Sequence, residues 1–118
     1  MSRRLQRLNV LLRQEISELI RRELRDPRLA EIVSLTRVST SPDLRATTVY
    51  VSIMGGDDEK SATMDTLTRA APFLRRQLLG RLTIRRTPEI HFTLDETMEE
   101  AAHVLDLMKD LPGTHPEA

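Results

Sequence analysis

Arg69, Arg75, Arg76, Arg81, Arg85 and Arg86 fall within eighteen residues that hold no acidic side chain, and they flank a proline, Pro72. A guanidinium carries five N–H donors in a rigid fork that matches phosphate oxygens, so this cluster suits anion binding rather than bond making. Apolar residues at Met64, Leu67, Ala71, Leu74 and Leu78 keep helical spacing through the same stretch. Pro72 has no N–H to give the Thr68 carbonyl, and its ring disfavours the α conformation at Ala71. The sequence therefore predicts a kink or break near Ala71 and a second helix starting at Pro72, a residue suited to the first helical position. Arg75 and Arg76 would then sit near a fresh helix N-terminus, where free N–H groups favour anions. A bend that merely wraps a core, with arginines facing solvent, fits these residues equally.

Other chemistries find little to work with. His91, His103 and His115 belong to a strand, a helix and a tail, with no HExxH and no cysteine beside them. There is no Walker loop, no GxGxxG and no GxSxG setting for a serine nucleophile. Asp57, Asp58 and Glu59 lack the alternating ligands and distal glutamate of a calcium loop; Asp57 or Asp58 reads instead as a helix cap. The residues argue for no catalysis, no cofactor and no metal. Tyr50, Phe73 and Phe92 are too few to build a stacking platform for splayed bases. RNA, if bound, would be held by phosphate, shape and helix ends.

The elements that must position these residues follow from periodicity. Leu5, Leu8, Leu12, Ile16, Leu19, Ile20 and Leu24 make the apolar stripe of a first helix over residues 2–25, which Asp26-Pro27 stops. Two strands follow, over residues 32–39 and 45–53, joined by a turn at Ser41-Pro42-Asp43; Val49, Val51 and Ile53 alternate with polar neighbours. They read as an antiparallel hairpin with one wet face. The kinked helix pair spans residues 59–82, a third strand residues 89–94, and a last helix starts at Thr97. That helix carries a stripe of Met98, Ala101, Ala102, Leu105, Met108 and Leu111 behind an acidic first turn. The fold class is α+β: one three-stranded sheet with helices on one face.

The chain of 118 residues fits one domain, placed at residues 1–112, with a disordered tail at residues 113–118. Without cysteine, a secretory leader or a long apolar run, it reads as a cytoplasmic protein with no membrane partner. Its net charge of zero hides a segregation. Residues 1–28 set eight arginines against four acids, residues 29–68 set three basic residues against six acids, and residues 87–118 set one lysine against eight acids. A basic face and an acidic end are implied. Sixteen of the eighteen basic residues are arginine, a ratio that coding bias also produces.

Arg25-Asp26-Pro27-Arg28-Leu29, Ser41-Pro42-Asp43-Leu44, Val49-Tyr50-Val51, Phe73-Leu74-Arg75 and Pro88-Glu89-Ile90, in this order and spacing, resemble the ribosome-binding factor A family of bacterial small-subunit assembly factors. The resemblance runs from about Leu5 to Met108. It implies a type II KH-like domain in which an interhelical kink with an Ala-x-Gly pattern replaces the usual GxxG loop. The matching positions here are Ala70-Ala71-Pro72, with proline in place of the glycine. It also implies a non-enzymatic protein that binds the free 30S subunit near its neck, at 16S rRNA. Such proteins assist late maturation of the rRNA 5′ end, support growth in the cold and leave the mature subunit. On this resemblance Arg69, Ala70, Ala71, Pro72, Arg75, Arg76, Arg85 and Arg86 are the expected RNA contacts, with Arg3, Arg4 and Arg7 a second set. A monomer with no small-molecule substrate is expected. The alternative is a protein-interaction adaptor that works through the first helix and the acidic last helix.

Overall fold

The computed structural model describes residues 2–24, 27–82 and 86–109. Helix α1 (Arg3–Glu23) begins where the Ser2 hydroxyl accepts the Leu5 N–H at 3.1 Å, a side-chain cap. A short helix the sequence reading lacked, α2 (Pro27–Ile32), follows, with Pro27 at the first helical position, which needs no N–H. Strand β1 (Val33–Thr40) and strand β2 (Ala46–Ile53) pair antiparallel. Helix α3 (Asp57–Arg81) crosses back, strand β3 (Glu89–Leu94) pairs parallel to β2, and helix α4 (Thr97–Lys109) leaves the sheet. The sheet order β1-β2-β3 puts β2 in the centre, and the α+β class and element order are those expected.

Alternation along β2 buries Thr47, Val49, Val51 and Ile53 on one face. Leu12, Ile16 and Leu19 of α1 and Leu67, Leu74 and Leu78 of α3 cover that face, each no more than 1% exposed. The hydroxyls of Thr40 and Thr47, also buried, satisfy each other at 2.9 Å. In β1 the spacing of buried residues slips, with Leu35 and Val38 three apart, because Thr36 is an extra residue between the pairs Leu35–Val51 and Arg37–Tyr50. The hairpin turn closes through the Leu44 N–H and the Ser41 carbonyl at 2.8 Å, and it holds Leu44 at φ 61°, a left-handed conformation that costs a branched side chain energy.

Two local expectations are corrected. The helices foreseen on either side of Pro72 form one helix, α3, with Pro72 inside it. A proline in a helix interior costs about 3 kcal/mol. Leu67 before it and Leu74 and Leu78 after it are all fully buried in the same core. Fully burying each leucine is worth roughly 1.5–3 kcal/mol, so the packing on both sides outweighs the lost hydrogen bond. The helix is capped by Gly56, with no side-chain cap, rather than by Asp57 or Asp58. Those aspartates and Glu59 occupy its first turn, where negative charge complements the helix dipole. Leu74→Ala should lower unfolding free energy by about 3 kcal/mol in urea titration. Leu79→Ala, at a side chain 55% exposed one turn along, should change it by less than about 0.5 kcal/mol. Equal effects would contradict this placement of the core.

Candidate nucleic-acid interface

Parallel pairing of β2 and β3 decides where the charges lie. Both strands start at one end of the sheet, where Glu89 pairs with Ala46, and both finish at the other. Helix α3 must travel from the end of β2 back to the start of β3. Its acidic first turn, Asp57 to Glu59, lies at one end and its arginine-rich second half at the opposite end. The first turns of α1 join the arginine end, since Leu5 lines a hollow with Ser41 and Ala46 at the hairpin turn. Arg3, Arg4 and Arg7 are exposed there. The fold thus gathers the arginines of α3 and of the first turns of α1 at one end of the sheet and the carboxylates of the first turn of α3 at the other.

At the basic end a groove of about 380 Å³ runs between α3 and β3. Thr68, Ala71, Pro72, Arg75 and Arg76 form the helix wall; Glu89, Ile90 and His91 form the strand wall. Pro72 is exposed in the groove, beside the Thr68 turn whose carbonyl it cannot serve. Arg75 is half-buried, and its Nε donates to the Thr87 carbonyl at 3.0 Å, which ties the helix to the approach of β3. The Thr87 hydroxyl beneath it is buried with no partner among the described residues. Arg76 and Arg86 are exposed and make no hydrogen bond or ion pair among the described residues. Glu89 and His91 approach at 3.6 Å, a pair that becomes ionic when the imidazole is protonated.

The expected contacts divide accordingly. Ala71, Pro72, Arg75 and Arg76 share the groove, and Arg86 lies exposed at the approach to β3. Arg69 is exposed on α3, where its Nε reaches the Asp65 carbonyl at 3.4 Å, and Ala70 packs against the core. Arg85 lies outside the described residues, as do the tail and Asp26 of the foreseen helix stop. Arg81 is tied to Glu15 of α1 at 3.1 Å. Because α3 is continuous, no helix starts at Pro72, and the fresh N-terminus foreseen beside Arg75 and Arg76 does not form. What those arginines offer phosphate is their side chains. The reading missed Thr68, Glu89 and His91, which no sequence spacing links to Pro72; only the crossover brings them to it.

The acidic end is organised by Asp95. One carboxylate oxygen accepts the hydroxyl of the bulged Thr36 at 2.6 Å, and the other accepts the Thr97 N–H at 3.0 Å and the Thr97 hydroxyl. The Thr36 bond first, then those from Thr97, hold the Asp95 carboxyl down at about 2. At the foot of α4 a groove of about 650 Å³ opens over Asp95, Glu96, Glu100 and Tyr50, whose ring lies 4.1 Å below the Arg37 guanidinium. Among the described residues no set of three or more histidines and carboxylates gathers as metal ligands, and no helix is long and apolar enough to cross a membrane.

Comparison with known proteins places this architecture. The family model of ribosome-binding factor A matches residues 4–108. A ribosome-binding factor A of Acetivibrio thermocellus is 42% identical over 107 residues, 91% of this chain and 87% of that protein. A solution NMR structure of a Thermotoga maritima protein described as a ribosome-binding factor A superposes with a TM-score of 0.72 at 34% identity, covering 84% of this chain and 93% of that one. The Thermus thermophilus factor, as fitted into the cryo-electron-microscopy map of a 30S complex, gives 0.62 at 26% identity, covering 75% and 92%.

A depressed carboxyl pKa contributes stability above the unfolded value, 3.8, and loses it as pH falls through about 2. Asp95→Asn should therefore be less stable than the parent at about pH 5, with the difference closing toward about pH 2 in urea titrations. A difference that stays constant over that interval would contradict the bonds assigned to Asp95.

Proposed function

The chain belongs to the ribosome-binding factor A family, and we propose that it binds the free 30S subunit through the phosphate backbone of 16S rRNA. We propose further that binding assists late maturation of the subunit, including processing of the 16S rRNA 5′ end. The observation that carries this reading is the basic end: Arg75 and Arg76 in the Pro72 groove and exposed Arg86 at the approach to β3, with Arg3, Arg4 and Arg7 at the same end of the sheet. Exposed guanidinium groups grouped on one end meet a polyanion with counterion release. The opposite end, rich in carboxylates, is repelled by the same polyanion and so fixes orientation. The Thermus thermophilus factor, described as complexed with 30S, supplies the partner by similarity.

In this reading the protein works as a monomer in the cytoplasm, by occupancy rather than catalysis, and it departs when the site it occupies matures. On this reading, loss of the protein slows growth in the cold. Arg69 and Arg85 are counted among the phosphate contacts by their place in the sequence, before and after the groove residues. Pro72 stands where the family pattern has glycine, so the groove meets RNA at this point with an apolar ring and no N–H.

Arg76 and Arg86 make no bond within the described fold, so Arg76→Ala with Arg86→Ala should leave the thermal midpoint unchanged. The same double variant should weaken binding to free 30S subunits and make the log–log salt dependence shallower by about 1.5, at roughly 0.7–0.9 per phosphate. Arg75→Ala should lower both affinity and midpoint, because its Nε also braces Thr87. An unchanged salt slope in the double variant would remove these two side chains from the interface.

A further inference from the structure

Helix α4 is amphipathic, and its second half stands out from the body. Residues 101–109 are exposed throughout, including Val104 at 51%, Leu105 at 59% and Leu107 at 52%. A 13-residue helix is marginal in water without packing. What holds it to the body is at its other side. Lys60 of α3, almost buried, donates to both Glu99 carboxylate oxygens at 2.8 and 2.6 Å. At roughly 100° per residue, Glu99 lies about 170° around the helix from the midpoint of Val104 and Leu105. The lysine therefore turns the apolar ridge outward.

The ridge is not neutral ground. Glu100 lies on its flank and also lines the groove at the foot of α4, next to Glu96 and the Tyr50 ring. Glu100 thus stands between the exposed apolar side chains of α4 and the groove at its base. Phosphate is repelled by Glu96 and Glu100, whereas an arginine or lysine in a partly apolar polypeptide finds both carboxylates there; the Tyr50 ring is already covered by Arg37 of the same groove. We propose that this surface docks a basic, partly apolar segment of another protein, with its aliphatic side chains on Val104 and Leu105 and a cationic side chain in the groove near Glu96 and Glu100. The inference rests on the small-subunit reading for where that protein is found, namely on the particle the basic end grips.

The test reverses both properties of the ridge at once. Val104→Arg with Leu105→Arg adds two positive charges at exposed positions, so the fold is retained and the thermal midpoint reports this. Sedimentation with free 30S subunits should then show at least about tenfold weaker binding, since like charges now face the basic segment. If α4 faces RNA, the same arginines tighten binding, and the proposal is overturned; unaltered affinity overturns it too. Absence of binding by the parent protein overturns the small-subunit reading and this proposal together, whereas a binding parent with an indifferent variant overturns this proposal alone. Benzoylphenylalanine at position 105, photolysed on the subunit, identifies the occupant. An adduct to a basic protein that survives ribonuclease supports the proposal. An adduct to RNA or to a second copy of this chain contradicts it.

Discussion

Parallel pairing of β2 with β3 is the constraint on which the rest of the molecule depends. Two parallel neighbours cannot be joined by a turn, so the chain must cross the full length of the sheet between them. The crossing element is α3, and its 25 residues keep the carboxylates of one end apart from the arginines of the other. Had β3 run antiparallel to β2, the start of β3 would lie beside the acidic turn of α3. Glu89 and His91 would then lie far from Arg75. The groove, the bond from Arg75 to Thr87 and the polarity of the whole surface follow from one strand direction.

Much of this was legible in sequence order. Strands β2 and β3 alternate cleanly, the stripe of α1 is unambiguous, and the charge segregation is visible as counts along the chain. What was not legible depends on contacts between distant residues. The bulge at Thr36 shows only when β1 is laid against β2, because an extra residue has meaning only relative to a partner strand. Helix α2 is six residues long, too short for periodicity to declare itself. Pro72 illustrates the opposite error. The local rule that proline breaks a helix is sound, but Leu67, Leu74 and Leu78 are held in one core, and their burial keeps the helix whole.

That continuity changes the physical account of the interface. A helix N-terminus at Pro72 would have supplied backbone N–H groups to an anion; the intact helix supplies guanidinium groups instead. The arginines of this stretch are also not equivalent. Arg81 is paired with Glu15, Arg75 is half committed to Thr87, and Arg76 and Arg86 are free in the described fold. Counting arginines in the sequence therefore overstates the number ready for phosphate, and only the folded arrangement separates braces from contacts. At the far end, Lys60 and Asp95 do for α4 what Arg75 does for the groove. Each fixes the direction of an element whose own packing would leave it undetermined.

The central proposal is that the arginine-bearing end of this molecule grips the RNA of the free 30S subunit. The most direct measurement is co-sedimentation of the purified protein with free 30S subunits, 50S subunits and whole ribosomes across a salt series. The account predicts selective binding to free 30S subunits that falls steeply with salt, with a log–log slope of about −3 for roughly three or four phosphates. Binding to none of the particles, or binding indifferent to salt, would contradict it.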